Sequence, residues 1–274
     1  MPDPRRPRDR FVTVGGLRLR YRDWGGDGRP LLTLHGAAAH AHWWDPVAPY
    51  LARRFRVLAL DWRGHGRSAW PRYPAYRSED FAAELGGVIE GLGLEDVVVA
   101  GHSMGGHNAM AFAAWHPDRL ARLVVVDARP HVNLERLRAL QRRAPRPPTE
   151  FPSLAQALAR FRLRPPETVA PPALLRAIAR RGLVRLPSGR WRYRFDPACE
   201  RTRVPVDCWA LLPRITSPTL VVRGEYSTIL DRDVARRMAK TLPSAALEEI
   251  PGAHHHVTLD APRALADCIL AWLG

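Results

Sequence analysis

Four apolar residues, Val97-Val98-Val99-Ala100, run directly into Gly101-His102-Ser103-Met104-Gly105-Gly106, and an apolar stretch of helical character follows as far as Trp115. A buried strand that turns at once into a helix leaves few solutions for the residue at the corner. That residue adopts a strained backbone, and only small residues two positions either side avoid a clash, which Gly101 and Gly105 provide. The spacing is G-x-S-x-G. It lifts the Ser103 hydroxyl out of the fold at the positive end of a helix, where backbone N–H groups, beginning with that of Met104, can stabilise a developing oxyanion.

The remaining chain supplies the scaffold such a corner needs. Short apolar runs at residues 31–34, 56–60, 97–100, 123–126, 219–222 and 246–250 alternate with helical patterns. Strands buried on both faces beneath crossover helices read this way, so an α/β fold with a mostly parallel central sheet flanked by helices is expected. Ahead of them, residues 11–14 and 17–21 flank Gly15-Gly16, a tight hairpin turn. Phe81, Leu85, Val88, Ile89 and Leu92 share one helical face, with Ser78 read as the cap. Leu265, Cys268, Ile269, Trp272 and Leu273 repeat the pattern at the end, with Pro262 in the first turn.

Between residues 133 and 213 the alternation gives way to Pro- and Arg-rich sequence with doubled prolines at Pro147-Pro148, Pro165-Pro166 and Pro171-Pro172. Residues 1–132 and 214–274 are therefore expected to form the sheet core, and 133–213 an inserted lid. Two short helical patterns, at 154–163 and 173–180, precede a hairpin over 183–195 that turns at Pro187-Ser188-Gly189. The competing reading is a disordered linker, but Trp191, Tyr193, Phe195 and Trp209 carry too much aromatic surface for one.

Composition narrows the function class. Hydrophobic residues at 46% and charged residues at 25% suit a water-soluble domain and are too polar for a membrane bundle. The net charge of +15 raises nucleic acid as a partner, yet the arginines are scattered through every element and no helix-turn-helix, C2H2 or ribonucleoprotein motif appears. No nucleic-acid or membrane partner is expected. The basic opening, Pro2 to Arg10, is not followed by an apolar run, so no secretory signal is read and a cytoplasmic location is expected. Cys199, Cys208 and Cys268 are an odd number at wide spacings, suggesting neither a disulfide framework nor a zinc site.

With these motifs in order, the chain resembles the α/β-hydrolase superfamily from about Phe11 to its end. Leu34-His35-Gly36-Ala37 is similar to the family's oxyanion loop, which would join the Ala37 N–H to that of Met104. Asp61-Trp62-Arg63-Gly64-His65-Gly66-Arg67-Ser68 resembles the structural D-x-R-G-x-G-x-S loop, read as scaffold without chemistry. Pro251-Gly252-Ala253-His254-His255-His256 resembles the P-G-A-G-H loop, which makes His255 the catalytic histidine; His254 stands where the family has glycine. A metal-binding reading of the three histidines is weaker, because adjacent side chains diverge and no partner carboxylate or cysteine cluster is evident.

The acid departs from the common pattern. The loop after residues 219–222 reads Arg223-Gly224-Glu225-Tyr226-Ser227-Thr228, with hydroxyls where many relatives place aspartate. Some branches take the acid from the preceding strand end, where Asp127 stands, so Asp127 is expected to orient His255. The alternatives are Asp127 as a turn cap, or Glu225 as the acid; Asp231 reads as the cap of the helix bearing Val234 and Met238. Trp43 and Trp209 are the candidate substrate-pocket residues, with plain core packing as the other reading.

The resemblance implies hydrolysis of a small carboxylic ester or lactone through an acyl-enzyme on Ser103, with neither cofactor nor metal. Open alternatives are a cofactor-free perhydrolase, a C–C bond hydrolase, and a non-catalytic small-ligand-binding protein of the same fold. The acyl group, the alcohol and the oligomeric state are not legible in the chain.

Overall fold

The computed structural model describes residues 6–144 and 147–274; residues 1–5, which open the stretch read for a signal, and 145–146, inside the Pro-rich insertion, lie outside the described residues. Eleven strands are formed: β1 (Arg8–Val14), β2 (Leu17–Asp23), β3 (Pro30–Leu34), β4 (Arg56–Leu60), β5 (Val98–His102), β6 (Arg122–Val126), β7 (Glu150–Phe151), β8 (Leu183–Arg185), β9 (Trp191–Tyr193), β10 (Thr219–Gly224) and β11 (Ala245–Ile250). Eight make one sheet in the order β1-β2-β4-β3-β5-β6-β10-β11. From β4 to β11 every pairing is parallel, and only the β1–β2–β4 edge is antiparallel.

The two-residue period of the strands divides the interior into two cores. Val99, Leu123 and Val125 face one side, against Phe81, Leu85 and Val88 of helix Ser78–Gly91 and Met110 and Phe112 of helix Met104–Trp115. Val98, Ala100, Val124 and Val126 face the other, against Leu51, and Leu265 and Ile269 of helix Pro262–Leu273. Each fully buried Leu, Val, Ile or Phe contributes about 1.5–3 kcal/mol relative to exposure, so two apolar faces specify register tightly.

One local reading changes. Ser78 is not the cap of its helix but its first residue: the N-cap is Arg77, whose N–H donates to Asp80 Oδ2 (2.7 Å), while Ser78 Oγ accepts from the Val206 N–H (3.1 Å). Some of the scattered arginines are buried. β2 reads LRLRYRD, and its alternation points Leu19 and Tyr21 into one core while Arg20 and Arg22 are buried on the other face. Arg20 pairs with Asp61 (2.9 Å) and Asp9 (2.7 Å), and Arg22 pairs with Asp45 (2.9 Å). Buried cations need such partners, because an unpaired one carries the full desolvation cost.

Between β6 and β10 the chain leaves the sheet. Helices Leu134–Arg143, Leu154–Arg160, Pro172–Arg181 and Pro197–Thr202 accompany a separate antiparallel sheet, β7-β9-β8. Phe151, Ala157 and Leu183 give this segment a small core of its own, with Trp191 and Tyr193 against it. It is fastened to the loops at the carboxyl ends of β3, β4 and β11. His40 Nε2 donates to the Ile178 carbonyl (3.2 Å), the Gly66 N–H to the Arg194 carbonyl (2.8 Å), and His256 Nε2 to the Pro165 carbonyl (2.8 Å). Among the described residues, no helix is long and apolar enough to cross a membrane.

Candidate active site

Ser103 closes β5 and opens helix Met104–Trp115 with φ 53° and ψ −118°, a backbone that L-residues rarely adopt. The neighbouring glycines explain how the corner is tolerated. A Cβ on Gly105 would come within 2.6 Å of the Leu34 carbonyl oxygen, and one on Gly101 within 2.5 Å of Gly105 itself. The Ser103 N–H is held by the Val126 carbonyl (2.9 Å) and its own carbonyl accepts from the His107 N–H (2.9 Å), so the strained residue is bonded on both sides.

Three loops from distant parts of the chain converge on it. Ser103 Oγ lies 3.1 Å from His255 Nε2, and His255 Nδ1 lies 2.8 Å from Asp127 Oδ1. Since a carboxylate can only accept, Nδ1 carries the proton and Nε2 presents its lone pair to the serine. Asp127, at the end of β6, is fully buried with φ 46°, and its N–H donates to the Val222 carbonyl (2.7 Å). Its Oδ1 also accepts from Ser227 Oγ (2.6 Å) and its Oδ2 from the Gly224 N–H (2.8 Å). The end of β10 thus forms a cradle for the carboxylate. Gly224 is required there, because a Cβ would fall 2.2 Å from the His254 carbonyl oxygen, where the histidine loop crosses.

Burial pushes the Asp127 carboxyl up to about 6, against the opposing hydrogen bonds from Ser227 and Gly224. Next to it, burial drives His102 down to about 3, so that imidazole is neutral. Its Nε2 therefore donates to the His255 carbonyl (2.9 Å), and the two rings lie 4.8 Å apart. His102 fixes the backbone from which His255 projects.

The loop after β3 abuts the serine: a Cβ on Gly36 would stand 3.2 Å from Ser103 Cβ. Beyond it the Ala38 N–H donates to His65 Nε2 (3.3 Å), and the Ala41 N–H donates to Asp61 Oδ1 (2.6 Å). Asp61 also accepts from Arg20 (2.9 Å) and from the Arg67 N–H (2.9 Å), so the D-x-R-G-x-G-x-S segment is a strut beneath this loop. The N–H groups of Ala37 and Met104 make no hydrogen bond among the described residues.

The structure thus brings Ser103, His255, Asp127 and the Ala37 loop together. Glu225 is elsewhere, accepting from the Gly252 N–H (2.8 Å) at the start of the histidine loop. Asp231 caps its helix by accepting from the Val234 N–H (2.9 Å). Trp43 meets His256 edge-on at 5.3 Å and packs with Leu163, Ala170 and Ile178 of the inserted segment. Trp209 lies under the Arg237 guanidinium (4.2 Å), packed on the sheet core. Sequence reasoning missed three contributors: Ser227 as a donor to Asp127, His102 behind His255, and His256 between that loop and the insertion. The only signal for Ser227 was its place where relatives carry the acid.

Known proteins share this fold along most of the chain. The chain is 28% identical over 92% of its length to 2-(acetamidomethylene)succinate hydrolase of Mesorhizobium japonicum, 90% of which is covered. It is 31% identical over 90% of its length to esterase Rv0045c of Mycobacterium tuberculosis, 83% of which is covered. Its structure superposes on the crystal structure of an E-2-(acetamidomethylene)succinate hydrolase with a TM-score of 0.85 at 27% identity, spanning 97% of this chain and 99% of the other. A family model for the alpha/beta hydrolase fold matches residues 29–262, which takes in the serine corner, the loop that abuts it and the histidine that faces it: the chain belongs to the α/β-hydrolase fold family and is a hydrolase by kinship.

Proposed function

We propose that the protein is a serine hydrolase that cleaves carboxylic esters or lactones through an acyl-enzyme on Ser103. The observation that carries this reading is the continuous chain from Ser103 Oγ to His255 Nε2 (3.1 Å) and from His255 Nδ1 to Asp127 (2.8 Å), set on a strained corner beside two unengaged N–H groups. His255 takes the Ser103 proton as Oγ attacks the carbonyl carbon. The oxyanion is held by the N–H groups of Ala37 and Met104, and His255 returns the proton to the leaving alcohol. Water then repeats the sequence on the acyl-enzyme, releasing the acid and restoring Ser103. Asp127 keeps the imidazole in the required tautomer and stabilises its protonated form. The inserted segment acts as the lid, a reading supported by its hydrogen bonds to the loops after β3 and β11, from His40 to the Ile178 carbonyl and from His256 to the Pro165 carbonyl.

A panel of p-nitrophenyl esters graded by chain length, run beside lactones and with fluorophosphonate labelling read by intact mass, tests the proposal. One label per chain, lost in Ser103→Ala, is the expected result; absence of labelling overturns it. The likeness to a hydrolase of an acetamidomethylene-substituted succinate favours a second reading, hydrolysis of an anionic amide-bearing substrate by the same residues. Turnover of that compound in preference to every ester in the panel would favour it.

A further inference from the structure

Three buried imidazoles meet behind the serine: one ring nitrogen of each of His102, His255 and His256 lies within 4.8 Å of those of the other two. Although adjacent in the chain, His255 and His256 meet edge to face, and His102, from the serine corner, also closes on His255. Their ring centroids are 4.8 Å (His102 to His255), 5.0 Å (His255 to His256) and 6.1 Å (His102 to His256) apart.

The tautomers are set by carbonyl groups. His102 Nε2 donates to the His255 carbonyl (2.9 Å) and His256 Nε2 to the Pro165 carbonyl (2.8 Å), so in both rings the lone pair is on Nδ1. Neither Nδ1 has a hydrogen-bond partner among the described residues, and both residues are 2% exposed. A buried acceptor left without a donor keeps an uncompensated desolvation cost. Here two such lone pairs lie beside a third imidazole, whose Nε2 faces Ser103.

We propose that His102, His255 and His256 form a site for a divalent transition-metal ion, and that its occupancy silences Ser103. Three neutral imidazoles, with no carboxylate in the set, suit Zn²⁺, Cu²⁺ or Ni²⁺ and disfavour Mg²⁺ and Ca²⁺. Zinc–nitrogen bonds are about 2.0–2.1 Å. Rotations of the rings bring nitrogens that lie within 4.8 Å of one another onto the ion, leaving a fourth position for water. An imidazole bound through Nε2 cannot accept the serine proton, so the metal is a reversible inhibitor and not a cofactor. The silencing rests on the proposed roles of Ser103 and His255; the binding site itself does not.

The test uses the full chain without a histidine tag, freed of metal with a chelator. Co²⁺ is titrated by its visible d–d absorption and Zn²⁺ by calorimetry, with imidazole ¹⁵N spectra recorded before and after Zn²⁺. One equivalent is expected to bind and to shift the Nδ1 resonances of His102 and His256. Both ligand variants, His102→Phe and His256→Phe, should weaken binding by more than the roughly 10–100-fold typical of losing a group behind a ligand. Ser103→Ala and His254→Ala should bind as the wild type does. Fluorophosphonate labelling should slow with Zn²⁺ and recover with chelator. No stoichiometric binding, or unmoved Nδ1 resonances in the wild type, overturns the site even if a variant fails to fold. Labelling unaffected by bound Zn²⁺ overturns the silencing, while a protein that binds metal at these nitrogens but never labels counts against the serine mechanism alone.

Discussion

Asp127 answers two opposed demands. The imidazolium of the proposed mechanism needs a buried carboxylate, and burial pushes that carboxyl up to about 6. Because the folded value lies above the 3.8 of the free group, the folded state holds the proton more tightly between these two pH values. Its contribution to stability is therefore greatest below about pH 4 and is lost as pH rises through about 6, a difference on the order of 3 kcal/mol. Asp127→Asn is expected to lower turnover at least ~100-fold at pH 7 through the wrong imidazole tautomer, while its melting temperature there is no lower than that of the wild type. At pH 4 the wild type should gain on the variant. Turnover and thermal melts at both pH values check this, and a strongly destabilised variant at pH 7 would assign Asp127 to holding the turn. Glu225→Gln, which touches only the Gly252 N–H, should leave turnover near the wild-type value. In the wild type, kcat/KM should fall as pH drops through about 6, where the Asp127 carboxyl takes up its proton. Ser103→Ala and His255→Ala should reach similar residual rates, since members of such a unit do not act additively.

The end of β10 is the element that holds the acid and the histidine loop together. Ser227 Oγ donates to Asp127 and accepts from the Ile229 and Leu230 N–H groups (3.1 Å each). Ser227→Ala leaves those donors unpaired, so a loss of about 1–3 kcal/mol in denaturant melts is expected. The same change removes a hydrogen bond to the carboxylate, which should move the acid limb of the pH–rate profile upward. An unmoved limb would limit Ser227 to a structural part. Gly224→Ala acts on the same junction by geometry alone: a Cβ 2.2 Å from the His254 oxygen must push the histidine loop away. Displacing His255 by about 1 Å is worth on the order of 100-fold in rate, so turnover and fluorophosphonate labelling should both drop while the fold persists.

Sheet unit and insertion meet along an apolar seam in which Leu163, Ala170 and Ile178 face Ala39, Trp43 and Leu259. This seam lies one residue from His255, because Trp43 contacts His256. Ile178→Ala opens it and is expected to shift the ester chain-length profile toward longer acyl groups, with labelling by a small fluorophosphonate little changed. Trp209→Ala, by contrast, removes a ring packed between the core and Arg237, so a lower melting temperature with an unchanged profile is expected. A reversed outcome, with the profile following Trp209, would place the acyl pocket on the other side of the insertion. The charge of the molecule is also partly internal. Arg20 pairs with the buried Asp61 and with Asp9, and Arg22 with Asp45; such pairs cancel within the net +15, so the excess positive charge is carried by the arginines outside them.

Much of this was readable without coordinates, for physical reasons that can be named. A strand-to-helix corner at Ser103 has one chemistry of neighbours, glycine at positions two away, and those neighbours are local in sequence. Apolar runs of strand length likewise announce a sheet buried on both faces, and the observed strands β3 to β6, β10 and β11 lie on the runs that were read. Whether Asp127 or Glu225 faces His255 was not local, since 128 residues separate Asp127 from His255 and both acids end strands or begin loops at the same sheet edge. Pairing of β6 with β10 in parallel register set the answer, by bringing Ser227 and the Gly224 N–H under the Asp127 carboxylate. The same holds for His102 and His256. Their side chains read as loop neighbours of known motifs, and only the crossing of the histidine loop over the serine corner turned them into one buried cluster, because contacts between segments so far apart exist in the folded chain alone.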